Sequence, residues 1–134
     1  MSTHGISDWQ KRQQMLQARP KESDTDFLAR CELPPHPLAL TVACAVRCAI
    51  GKQAELTTDA IQAGDRIPQD LGDIFIQESP DVIEFLLELE GELGVRIPDS
   101  VVDALVAKET VTVKEIVNTF FSVLAPILSK KGSR

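Results

Sequence analysis

The chain has 134 residues, enough for one domain with tails, and its 43% hydrophobic content suffices for a core. A net charge of −6 excludes a general basic surface for nucleic acid and points instead to basic protein partners. With no Tyr and one Trp, the chain lacks the stacking platforms of single-strand binders; it has no apolar run of membrane-spanning length and no hydrophobic signal after Met1. A cytoplasmic protein that binds neither nucleic acid nor membrane is expected.

Residues 1–34 differ from the rest and read as an N-terminal extension, partly helical or mobile. Ser7 can cap a short helix over Asp8–Leu16, polar apart from Trp9, Met15 and Leu16. Trp9 is read as packing back onto the domain, with partner binding as the alternative. Arg19–Asp24 is a linker, Thr25–Cys31 suits one or two helical turns, and Leu33-Pro34-Pro35-His36-Pro37 is a rigid break. The extension is expected to dock weakly on the rest of the chain or to stay mobile.

Residues 35–126 read as an all-α bundle. Its first helix spans Leu38–Lys52, with Leu38, Val42, Ala45, Val46 and Ala49 on one face and Gly51 at its end. Cys44 and Cys48 are four apart on that helix. Together with Cys31 they form no Cys-x-x-Cys pair and read as small buried thiols. His4 and His36 have no ligand spacing, so no metal is expected. No phosphate loop, nucleophile elbow or base beside a nucleophile is present, and an enzyme is not expected.

Residues 53–78 form a long connection. Thr57 and Thr58 can cap a turn at Asp59-Ala60-Ile61, and Ile67, Leu71, Ile74 and Phe75 are candidates to pin the segment to the core. The chain then enters its best-defined helix, Ser79 to Leu93. Ser79 suits the N-cap, Pro80 the first helical position, and Gly94 the closing position. Val82, Leu86, Leu89 and Leu93 recur at steps of three and four on one face with Phe85 beside them; Asp81, Glu84, Glu88 and Glu92 make an acidic stripe on another. Ile83 and Leu87 fall on the border, as core or as an exposed apolar pair framed by acids.

After the extended link Val95–Asp99, Asp99 or Ser100 can cap a short third helix, Val101–Lys108. Thr112 and Glu115 form a capping box that opens a last helix, Val113 to about Leu124. Val113, Ile116, Val117, Phe120 and Leu124 share a face, and Pro126 is expected to end or kink the helix. Residues 127–134 read as a basic tail. The count is three long helices and one short one, with Val111-Thr112-Val113 too brief for a strand.

This order of parts resembles the acyl carrier protein family over about residues 38–124. The matching stretches are Asp70-Leu71-Gly72, then Ser79-Pro80-Asp81-Val82-Ile83-Glu84-Phe85, then Leu89-Glu90-Gly91-Glu92-Leu93-Gly94-Val95-Arg96-Ile97-Pro98-Asp99. The resemblance implies an acyl-carrier-like four-helix bundle with Ser79 as the attachment serine for 4'-phosphopantetheine, whose thiol carries an acyl or aminoacyl group as a thioester. It implies that Glu84 and Glu90 are acidic docking positions and that Ile83 and Leu87 are apolar partner contacts. Glu88, on the stripe found by spacing, joins them. The implied partners are a phosphopantetheinyl transferase and acyl-handling enzymes of fatty acid or polyketide pathways with basic docking patches, with the carrier itself a monomer. Two departures stand out: Glu78-Ser79-Pro80 replaces the usual Asp-Ser-Leu, and Asp73–Gln77 intervene after Leu71-Gly72. The alternative is an unmodified carrier-like module that binds or regulates a partner through the same helix.

Overall fold

A computed structural model describes residues 8–67, 69–71 and 80–132. Among the described residues six helices succeed one another: α1 (Asp8–Ala18), α2 (Asp24–Arg30), α3 (Pro37–Ala54), α4 (Pro80–Leu93), α5 (Asp99–Val106) and α6 (Val113–Gly132). The architecture is all-α, with α3, α4, α5 and α6 as the expected three long helices and one short one. α3 is the hub, packing against both α4 and α6, while α2 leans on α3 and α5 on α6.

The predicted faces of the helices are the buried ones. Val113, Ile116, Val117, Phe120 and Leu124 of α6 and Val42, Val46 and Ala49 of α3 are all fully buried, and Ala45 is nearly so; Leu38 is half-buried. The small α3 residues Ala39, Ala43, Ala45 and Ala49 let its neighbours approach closely. The Thr112–Glu115 capping box is formed as read: the Glu115 N–H donates to Thr112 Oγ1 at 3.2 Å, and the Thr112 N–H donates to Glu115 Oε1 at 3.0 Å. That backbone hydrogen bond, helped by Lys108, holds the Glu115 carboxyl below its ordinary range.

Several boundaries differ from expectation for local reasons. α3 runs three residues past Gly51 and closes at Glu55, which takes the left-handed conformation at φ 58°. Gly51 has another role: a Cβ there would stand 3.0 Å from the carbonyl oxygen of Leu56, so its bareness lets the chain fold back over the helix. α5 begins at Asp99 with Pro98 as its cap and no side-chain cap bond, so neither Asp99 nor Ser100 acts as read. α6 passes through Pro126 and continues to Gly132, past the expected end at Leu124. The carbonyl freed by the proline, that of Ser122 one turn earlier, belongs to an exposed residue where water can satisfy it. A strand pairing also exists where none was read: β1 (Arg66–Ile67) lies antiparallel to β2 (Val111–Thr112). It ties the long connection to the start of α6, reinforced by the Val113 N–H on the Asp65 carbonyl at 2.9 Å.

The N-terminal extension does more than dock weakly. Phe27, Leu28 and Cys31 of the α2 region lie in the same core cluster as α3 and α6. Beneath them Arg47 of α3 is fully buried. Its guanidinium donates to the Ile61, Glu22 and Asp59 carbonyls and to Asp24 Oδ1, at 2.9, 2.9, 3.3 and 3.2 Å, and lies 4.3 Å from the Phe27 ring centroid. α1 grips the connection: Gln17 and Thr57 exchange two hydrogen bonds, and Arg12 donates to the Gln69 carbonyl at 2.7 Å. Ile67 and Leu71 pin the connection as expected. The readings on Ser7, Ile74, Phe75 and the packing of Trp9 fall outside the described residues.

Candidate docking face and attachment site

α4 is held by four inward side chains. Val82, Phe85, Leu89 and Leu93 are buried, each worth about 1.5–3 kcal/mol when fully enclosed. Phe85 meets Phe120 of α6 with ring centroids 5.9 Å apart and planes tilted by 54°. Leu86, expected among them, is half-buried. The helix closes at Gly94, at φ 67°, whose N–H bonds the Glu90 carbonyl at 2.8 Å.

With that face fixed, the border pair is resolved. Ile83 and Leu87 stand 55% and 62% exposed, one turn apart on the outside of α4. Glu84 is exposed beside them and makes no ion pair with a described residue. An apolar pair of this size with a carboxylate alongside can enter a pocket on a partner that offers an apolar floor and a basic rim.

The other two acids expected at the docking face are already engaged. Glu88 is paired with Lys52 of α3. Glu90 is half-buried, and its Oε2 accepts the Ile97 N–H at 2.8 Å. Glu90 therefore anchors the link between α4 and α5, and that bond carries the chain from Gly94 to the Pro98 cap. No spacing rule finds such a contact, because it depends on where the backbone turns after the helix. Glu92 is exposed and borders a surface cavity with Asp24, Thr41, Cys44 and Cys48. Cys44 and Cys48 are half-buried at that edge and not in the core as read, whereas Cys31 is buried. Burial, with Asp24 nearby, pushes the Cys44 thiol up to about 11, so it is not a reactive thiolate.

Ser79, the predicted attachment residue, and Glu78 lie outside the described residues, as do the side chains of Pro80 and Asp81. What the described residues offer to a serine-linked phosphodiester is the start of a 14-residue helix at Pro80. The N–H groups and dipole of its first turn favour an anion there. Ile83 and Leu87 lie within two turns of it. These features fit a phosphopantetheine arm in charge and in placement. Among the described residues no group of His, Cys, Asp and Glu could hold a metal ion, and no helix is long and apolar enough to cross a membrane.

Comparison with known proteins finds relatives over about half of the chain. Over 74 residues the chain is 35% identical to the acyl carrier protein of Campylobacter hominis, a match covering 54% of this chain and 89% of that protein. Over 66 residues it is 33% identical to the acyl carrier protein of Campylobacter jejuni subsp. doylei, covering 49% of this chain and 80% of that one. No family model matches the chain. No solved structure matches it.

Proposed function

Because the chain belongs to the acyl carrier protein family, we propose that it carries a 4'-phosphopantetheine arm on Ser79 and presents a thioester-linked acyl or aminoacyl group to partner enzymes. The family gives it a carrier role in general terms; the arm, the residue and the docking face are this proposal's content. The observation that carries it is the exposed Ile83 and Leu87 pair with Glu84, on the helix that opens one residue after Ser79.

Each part of the chain has a task in this reading. The arm supplies the thiol on which the acyl group rides. Ser79 supplies the attachment oxygen at a helix start that favours the phosphodiester charge. Ile83 and Leu87 enter a partner's apolar socket, and Glu84 draws the partner's basic residues; Glu88 and Glu90 keep to the structural bonds just described. Such docking is weak, fast and salt-sensitive, which suits a carrier that must visit several enzymes in turn. The chain performs no bond-making of its own and serves cytoplasmic partners: a phosphopantetheinyl transferase first, then acyl-handling enzymes.

The test is intact mass after coexpression with phosphopantetheinyl transferases. A gain of one arm, absent from Ser79→Ala, is expected. The Ala variant should stay folded, with a loss of about 1 kcal/mol for the cap. No gain with several transferases overturns the carrier reading and leaves the same face as that of an unmodified interaction module.

A further inference from the structure

The acidic stripe of α4 is uneven, and Lys52 makes it so. Lys52 sits near the end of α3 and its Nζ is paired with the Glu88 carboxylate across the α3–α4 groove. Both partners reach solvent: the Lys52 side chain is 53% exposed and that of Glu88 30%. The hydrogen bond to Glu88 raises the Lys52 pKa, with the charge of Glu92 adding to it, so the lysine remains a cation throughout the neutral range. One turn toward the helix start, Glu84 has no such neighbour among the described residues.

We propose that Lys52 is an internal competitor for the cations of docking partners. By occupying Glu88 it takes the middle carboxylate of the stripe out of electrostatic docking, leaving the exposed Glu84, beside Ile83 and Leu87, and Glu92 at the far end of α4. The inference rests on the carrier reading of this helix and deepens it.

The physical argument is one of exchange. A partner's lysine or arginine approaching Glu84 meets a free carboxylate and gains its attraction outright. The same group approaching Glu88 must displace Lys52, so one ion pair is broken as another forms and little is gained. Partners that fit are those with an apolar socket and a basic group on the side nearest the helix start. Partners whose basic residues are spread along the whole helix gain less from this carrier than from one in which all the acids are free. Lys52 thus tunes specificity through Glu88 and never needs to touch a partner itself.

The experiment measures loading of the full chain by a phosphopantetheinyl transferase with coenzyme A as donor. In that step the Ser79 oxygen bonds to the phosphorus of the arm, adenosine 3',5'-bisphosphate leaves, and the hydroxyl proton passes to the transferase. Lys52→Gln is expected to lower the KM for the carrier by about two- to fivefold at low salt, with kcat unchanged. The gain should fade as ionic strength rises. It should also vanish when Lys52→Gln is combined with Glu88→Gln, since nothing is then unmasked. Lys114→Gln makes the same change in net charge but breaks a pair with Glu32 that involves no α4 residue, and it should leave KM where it was. An unchanged KM in Lys52→Gln, an equal drop in Lys114→Gln, or a gain that survives loss of Glu88 each overturns the masking role. If the wild-type mass never increases, the carrier reading itself has failed and the masking role falls with it. The mass spectrum separates that failure from a KM that does not respond.

Discussion

Charged residues meet opposite fates in two regions of this molecule. At the junction of the N-terminal extension with α3, the Arg47 side chain is fully enclosed and makes four hydrogen bonds, with the Phe27 ring stacked on it. On the outer face of α4, Glu84 and the Ile83–Leu87 pair are left to solvent. The first region uses charge to join pieces of one chain. The second leaves charge and apolar surface on the outside of the fold, where the proposed docking would use them. The difference teaches that in this protein a charge with internal partners marks architecture. A charge without them among the described residues, set beside exposed apolar side chains, is where the proposed docking face lies.

The largest test of that contrast is Phe27→Ala. The ring is fully buried, and its removal should lower the unfolding free energy by about 3–5 kcal/mol, read from urea denaturation. Against the roughly 5–15 kcal/mol typical of whole domains, such a loss shows the extension to be part of the core. A loss below about 1 kcal/mol would break the comparison, reducing the extension to the weakly docked arm that its composition suggests.

That arm shows what the sequence left illegible. Phe27, Leu28 and Cys31 have helical spacing, but the seven-residue helix that Cys31 caps is too short to announce itself against the proline break after it. Arg47 lies among small apolar residues, where an arginine is ordinarily assigned to solvent. Nothing local says that carbonyls from residues 22, 59 and 61 will converge on it. The bundle was legible because its signals are local and periodic: the Thr112–Glu115 box, the α6 face, and Val82, Leu89 and Leu93 on the inner face of α4, with Phe85 beside them in place of Leu86. The site was legible in part. Spacing found Ile83 and Leu87 but left them between core and surface, and the burial of Val82, Phe85, Leu89 and Leu93, with Phe85 against Phe120, decides which way the helix faces.

A smaller effect separates two acids of the same helix. Glu90 accepts the Ile97 N–H and is half-buried, so Glu90→Ala should cost about 1–2 kcal/mol by removing a charged acceptor from a backbone donor. Glu84→Ala should change stability by less than about 0.5 kcal/mol, as at an ordinary exposed site. Urea denaturation of the two variants side by side provides the measurement. Equal costs would mean that the line between structural and free acids is drawn in the wrong place.

The smallest expected effect on stability belongs to the residues with the largest expected role outside the fold. Leu87→Ala removes apolar surface that mostly faces water and takes little from the core, since Leu87 is 62% exposed. Its unfolding free energy should change by no more than about 0.5 kcal/mol, in either direction, while the KM for transferase loading rises. A core leucine behaves the other way: Leu89→Ala, on the inner face of the same helix and fully buried, should cost about 2–5 kcal/mol. If Leu87→Ala is as damaging to the fold as Leu89→Ala, the outer face of α4 is held by contacts within the chain and is not free to dock. If it is harmless to the fold and equally harmless to loading, the exposed pair takes no part in transferase docking, and that part of the proposed docking face is overturned.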